Sequence, residues 1–363
     1  MTKIKKINKF TRTNIAAYGL VLIAFAILYP MQLAGEISSK MQGLLVPICA
    51  YIVLALSLNL TVGVLGELSL GHAGFMSVGA FSGVIASAAF SQNIESKAVC
   101  LLLSIIVGGI FAAIAGVIVG IPVLRLRGDY LAIVTLAFGE IIKNVVSLLY
   151  VGIDAAGLHF SMKDISSLKM TNGRIIINGP QGAVGVTKMS TFVAGIILIL
   201  FTLFIVLNLI NSRAGRAITA IRDNRIAAES IGLGVTKYKL LTFVISASLA
   251  GMAGALYSMN YNSFTAAKFD FNTSILILVF VVLGGMGNMV GSIIATTILY
   301  MLPEVLREFS DYRMLIYAIV LILVMLVTNS QRAIEIREKL MQKIRDIFFR
   351  NKSKGEKEGA VNE

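Results

Sequence analysis

Long apolar runs, separated by shorter polar connections, recur along the chain from Ile15 to Thr328. A helix crossing about 30 Å of hydrocarbon needs roughly 20 mostly apolar residues. Ten such segments can be marked, at about residues 15–34, 43–62, 68–92, 99–124, 130–152, 190–210, 239–260, 272–288, 289–303 and 313–328. In lipid every backbone N–H and C=O must be satisfied internally, so the pattern predicts helices and an all-α polytopic membrane protein with about ten spans. The eighth and ninth segments are short and are interrupted by Gly284, Gly285, Gly287 and Gly291. Counting that pair as one long span is the competing reading.

The connections divide into two kinds. Residues 152–189 are polar and rich in turn formers, including Asn172, Gly173, Asn178, Gly179 and Pro180. Arg174 to Ile177 is expected to be a short strand or extended piece, in a connection that either caps one mouth of the bundle or serves as a solvated linker. After Asn329, Ile336, Leu340, Ile344 and Ile347 recur at helical spacing among basic residues. That pattern predicts an amphipathic helix on the membrane surface, with a disordered end from Asn351. The domain reading is thus a transmembrane part, 1–330, and a cytoplasmic tail, 331–363.

Composition sharpens the class: 57% of residues are apolar and 14% charged, with mean hydropathy +0.84, against about 25% charged residues in soluble domains. A net charge of +13 would suggest nucleic acid in a soluble protein, but here the basic residues lie in connections and termini. With ten spans and an inner N-terminus, the inner side holds five basic residues in the first arm, Arg125 and Arg127, six between Arg213 and Lys239, and nine in the tail. Nine would lie outside, and Lys143 falls within a span. The positive-inside rule therefore favours an even count with both termini cytoplasmic. The first segment, preceded by a basic stretch from Lys3 to Arg12, is too long for a cleaved signal and reads as a retained helix. Cys49 and Cys100 fall in apolar runs, and His72 and His159 have no ligand partners at metal spacing, so neither metal nor cofactor is expected.

Three stretches depart from plain hydrophobic helix. From Gly63 to Gly83, Glu67 and His72 sit among glycines that include Gly71 and Gly74. Interrupted helices line pathways in transporters, whereas Gly79 and Gly83 at GxxxG spacing could simply pack helices. Glu140 and Lys143 lie three apart on one face of the fifth segment. Glu140 falls roughly 15 Å into the membrane, where a charge needs a partner or water, so pair and pathway are both open. Third, residues 211–240 form a long inner connection of mixed charge, with Ala220, Ala227, Ala228 and Ile231 able to make a small apolar face. It predicts a short helix docking into a groove on another protein.

Four ordered pieces, NLTVGVLGELSLGHAGFMSVGAF, LRLRGDYLAIVTLAFGEI, IRDNRIAAESIGLGVTKYKLLTFVISASLAGMAGALY and VLGGMGNMVGSIIA, resemble the LivM-type permease subunits of branched-chain amino-acid importers powered by ATP-binding cassettes. The resemblance runs from about Ala50 to Arg307. It implies that the inner loop carries a variant of the EAA motif, with Arg222, Asp223, Ala227, Ala228, Glu229 and Gly232 at the contact with an ATPase. The order here is Ala-Ala-Glu rather than Glu-Ala-Ala. Two cytoplasmic ATPase subunits, a second related permease and an extracytoplasmic substrate-binding protein are the implied partners. Candidate pathway residues are Glu67, Gly71, His72, Gly74, Glu140 and Lys143. The chain has no GxxxxGK[ST], GxSxG or HExxH pattern, so any ATP hydrolysis belongs to other subunits. Permeases for urea, amides, other amino acids, sugars or nucleosides are the near rivals. A self-powered secondary transporter, with Glu67, Glu140 and Lys143 as its coupling groups, is the distant one.

Overall fold

A computed structural model describes residues 9–306 except 127, 155, 156, 169, 171 and 172, with scattered positions between 312 and 322. The tail helix, the disordered end and nearly all of the tenth apolar segment lie outside the described residues. The chain divides into two units, Met1–Met301 and Leu302–Glu363, and most described residues belong to the first.

In chain order the helices are α1 (Lys9–Leu33), α2 (Ser39–Asn59), α3 (His72–Phe90), α4 (Lys97–Val123) and α5 (Asp129–Ser147). Three strands follow, β1 (Tyr150–Asp154), β2 (Gly157–Ser161) and β3 (Arg174–Asn178). Then come α6 (Phe192–Asn211), α7 (Arg213–Asp223), α8 (Arg225–Ser230), α9 (Val235–Ser258), α10 (Phe271–Gly284) and α11 (Met289–Val305). A π-helical piece, Leu60–Leu65, extends α2. Among the described residues seven helices are long and apolar enough to cross a membrane, and α10 and α11 are shorter apolar helices. The disputed stretch is thus two helices, separated where Gly285 and Gly287 adopt left-handed φ of 91° and 81°. The fifth helix is shorter than the apolar segment at 130–152. Helix α5 stops at Ser147, and Tyr150 to Gly152 belong to β1, because hydropathy alone does not separate a short apolar strand from a helix end.

Helix α2 occupies the centre, buried from Leu45 to Asn59, while α1 lies outside with most of its surface open. On α4, Leu102, Ile106, Ile110, Ile114 and Ile118 form an exposed row at four-residue spacing. Such a row would promote aggregation in water and is solvated by acyl chains in a bilayer. Lipid tails are as apolar as leucine, so close packing rather than hydrophobic burial must hold helices together. Glycines supply it here. A Cβ at Gly79 of α3 would strike the backbone of Gly251 on α9; Gly83 lies against Ala255, and Gly108 of α4 meets Ala255 and Gly251. The Gly79–Gly83 pair therefore packs α3 on α9, and α4 closes against both.

The connection between α5 and α6 folds into an antiparallel sheet of order β2-β1-β3. The strand expected from Arg174 is present, with a register shift between Val151 and Gly152. Reciprocal bonds between Ala183 and Phe264, of 2.9 and 3.2 Å, clip the sheet region to the α9–α10 connection. The sheet and the α7–α8 segment follow α5 and α6, each a spanning helix, and mark opposite ends of the bundle.

Candidate functional site

The centre of the bundle is built on a break between α2 and α3. The π-helical turn closes with Gly66 and Glu67 N–H both donating to the Thr61 carbonyl, and Gly66 takes a φ of 79° that reverses the chain. From Leu68 to Gly71 the backbone has no helical or strand ladder, so its polar groups need other partners. Leu70 N–H donates to Thr135 Oγ1 of α5 at 3.0 Å, and Ala73 N–H to Ser274 Oγ of α10 at 3.2 Å. His72 Nε2 lies 2.7 Å from Ser57 Oγ, and Ser246 Oγ of α9 donates to the Ser57 carbonyl at 2.5 Å. Ser57 lies eight residues before Leu65, so α3 begins roughly 12 Å back inside the bundle, at 1.5 Å per residue.

Helix α10 begins at the same level, since Ser274 in its first turn meets Ala73. Asp270 caps it, Oδ1 accepting from Thr273 N–H at 2.9 Å. Two helix N-termini thus meet at the break, an arrangement that membrane transporters use around their solutes. Gly71 and Gly74 admit α5 to backbone contact at Thr135 and Gly139, which places Glu140 beside the break. Glu140 pairs with Lys143. Between Glu140, Asp270 and Ser274 remains a void of about 10 Å³, room for about one water. The break leaves no solute-sized space at that point. Phe81, Tyr257, Phe264 and Phe269 pack their rings on its sheet side, Phe81 and Phe264 with centroids 5.0 Å apart.

The α7–α8 end carries the second cluster. Ser212 caps α7 by accepting from Gly215 N–H, and Asn224 caps α8 by accepting from Ala227 N–H at 3.0 Å. Gly232, at φ 83°, ends α8 in a Schellman turn in which Leu233 N–H donates to the Ala228 carbonyl at 3.0 Å. Ile221, Ala228 and Val235 form a small core with Leu233 and Tyr238. The single expected helix is therefore two, and the expected apolar face differs: Ala228 turns inward, whereas Ala220, Ala227 and Ile231 are exposed. Ile226 is 80% exposed and Ile231 75%, with an Arg225–Glu229 pair of 2.8 Å between them. This offers two apolar knobs around a charge pair.

Arg222 joins this cluster to the break. Its Nη1 donates to the Gly63 carbonyl at 3.2 Å, its Nε and Nη2 to Asp223 Oδ1, and its stem covers Gly66, whose absent Cβ would fall 2.7 Å from Arg222 Cγ. Beside it, Glu67 forms an ion pair with Lys239 of α9, itself only 4% exposed. The six expected pathway residues therefore separate. Gly71, His72, Gly74, Glu140 and Lys143 gather at the break, and Glu67 lies with the loop. Sequence reasoning missed Ser57, Asn59, Thr135, Lys239 and Ser274. Asn59 donates to Ser292 Oγ at 2.9 Å and accepts from Gly287 N–H at 2.7 Å, fixing the α10–α11 turn against α2. Polar residues inside otherwise apolar segments were the available signal.

Residues 41–326 match the family model described as branched-chain amino acid transport system / permease component. The high-affinity branched-chain amino acid transport system permease protein LivM of Salmonella typhimurium is 32% identical over 323 residues, covering 85% of this chain and 72% of that protein. The protein of the same name in Escherichia coli is 34% identical over 291 residues, covering 76% of this chain and 66% of its own length, a little under two thirds. The permease protein LivH of Salmonella typhimurium is 24% identical over 285 residues, covering 76% and 89%. No solved structure matches the chain. The broken helices, the glycine-packed apolar bundle and these likenesses agree, and the chain is a multi-pass integral membrane protein that belongs to the branched-chain amino acid permease family.

Proposed function

We propose that the chain is the permease subunit of an ATP-driven importer that carries branched-chain aliphatic amino acids into the cell by alternating access. The observation that carries the coupling part of this reading is the reach of Arg222 from α7 to the Gly63 carbonyl and Gly66. Motion of α7 is transmitted through that contact to the backbone leading to His72. The names of the LivM relatives support the substrate class. The likeness to LivH supports a second, related permease as the other half of the pathway.

In this mechanism two cytoplasmic ATP-binding-cassette subunits grip α7 and α8, with Ala227, Glu229, Ile226 and Ile231 as the contact. Ala228 and Gly232 hold the shape of that segment from within, and Asp223 orients Arg222. The chain itself is no ATPase. An extracytoplasmic binding protein delivers solute to the sheet end, both termini are cytoplasmic, the spans number ten, and the membrane is a bacterial-type cell membrane. Coupling demands that the ATPases bind α7–α8 differently in their open and closed forms, because equal binding shifts no equilibrium. Gly71, His72, Gly74, Glu140 and Lys143 border the closed point that must part for solute to pass.

Replacing Ile226 by cysteine tests the placement directly, since Cys49 and Cys100 are buried. A membrane-impermeant maleimide should label Ile226→Cys in inside-out vesicles, leave it untouched in intact cells, and be blocked when the ATPases are bound. Labelling from outside intact cells, or no protection by the ATPases, would sink the reading.

A further inference from the structure

At the sheet end the lateral surface of the bundle carries a cleft of about 710 Å³ between α4 and α6, with Met252 of α9 between them. Leu102, Ile106, Ile197 and Phe201 line it and remain exposed, so no described residue fills it. Its walls run from Lys97 to Ile106 on α4 and from Thr191 to Phe201 on α6, about 14–15 Å at 1.5 Å per residue. Half of a hydrocarbon core about 30 Å thick has the same depth. The cleft is therefore one leaflet deep.

Its mouth is cationic. Lys97 opens α4, and Lys188 lies just before the Thr191 cap of α6; both line the cleft. Both are exposed, and among the described residues neither is in an ion pair. No described carboxylate lines the cleft. The segment carrying Lys188 is fixed, since the Met189 N–H donates to the Met259 carbonyl at 3.2 Å. Ser190 and Thr191 are already engaged: Ser190 Oγ donates to the Leu256 carbonyl at 2.6 Å, and Thr191 Oγ1 accepts from Ala194 N–H at 3.3 Å.

We propose that this cleft binds one anionic phospholipid from the leaflet at the sheet end. An acyl chain lies along the apolar walls, and the two ammonium groups meet the headgroup phosphate. Lysine stems can stay against apolar surface while their charges reach headgroup level, where basic side chains attract anionic lipid. A choline headgroup would bring a third cation to a mouth that offers no carboxylate. A spanning helix from another protein fits less well. It would cross both leaflets, and such contacts favour small residues, whereas the exposed wall here is leucine, isoleucine and phenylalanine. The inference is independent of the solute and of the ATPases.

Native mass spectrometry tests it, with the full chain delipidated in mild detergent and titrated with phosphatidylglycerol or phosphatidylcholine of identical acyl chains. One phosphatidylglycerol should bind at least about tenfold more tightly than phosphatidylcholine, and the double variant Lys97→Gln with Lys188→Gln should lose most of that preference. Ala194→Phe, on the α6 wall, should weaken binding of both lipids. Glycerol phosphate at the lipid's concentration should displace neither. Equal affinity of wild type for the two lipids, or an unchanged preference in the lysine double variant, overturns the proposal. Displacement by glycerol phosphate would make this a site for free phosphate and likewise overturn it. If wild type is a dimer that Ala194→Phe dissociates while phosphatidylglycerol binding persists, the cleft is a protein contact and the proposal fails. Both lysines are exposed, so the double variant should elute as wild type in gel filtration, and the test stands even if Ala194→Phe misfolds.

Discussion

At the scale of single residues, the chain shows how charge is kept inside an apolar bundle. Lys239 is buried and answers Glu67, 172 positions earlier in sequence, while Glu140 and Lys143 answer each other within one helix. Removing one member of a buried pair leaves the other charge stranded, which costs about 3–5 kcal/mol when burial is complete. Glu67 keeps some exposure, so Lys239→Met is expected to cost less, about 2–3 kcal/mol. The double variant Glu67→Gln with Lys239→Met should recover most of that loss. Thermal unfolding in mild detergent checks both, and a double variant no better than the single would show that the pair is not the source. The Glu140–Lys143 pair was legible from spacing alone, because helix geometry fixes neighbours three apart. Lys239 was not, because its partner is set by how α9 packs on the α2–α3 break.

At the scale of elements, the helices were legible and the exceptions to them less so. Hydropathy located the described long spans within a few residues, and the glycine run left interruption and simple packing both open, but no periodicity gives the depth at which α3 restarts. That depth follows from contacts of His72 with Ser57 and of Ala73 with Ser274. Strand β1 was absorbed into the preceding span, while β3 stood out because turn formers flank it. The glycines themselves divide by environment, and this yields a paired prediction. Gly79 faces backbone on α9, whereas nothing lies within 4 Å of a Cβ at Gly19 of α1. Gly79→Leu should force α3 from α9 and yield little or no monodisperse protein by gel filtration, and Gly19→Leu should match wild type. Equal yields would mean that the α3–α9 contact does not hold the bundle.

At the scale of the whole molecule, the architecture places the α7–α8 segment at one end, the α2–α3 break in the middle and a small sheet at the other. The resemblance in sequence pointed to the loop, and the chain belongs to the family that the resemblance named. It did not identify the connection between loop and break, because Arg222 and Gly63 are 159 residues apart in sequence and meet only in the fold. That connection is the central claim. The decisive measurement is the ratio of leucine imported to ATP hydrolysed by the complete complex in proteoliposomes, compared between wild type and Arg222→Ala. Loss of the guanidinium should leave the ATPases bound and hydrolysing while import per ATP falls at least tenfold. An unchanged ratio in a correctly assembled Arg222→Ala complex would contradict the account.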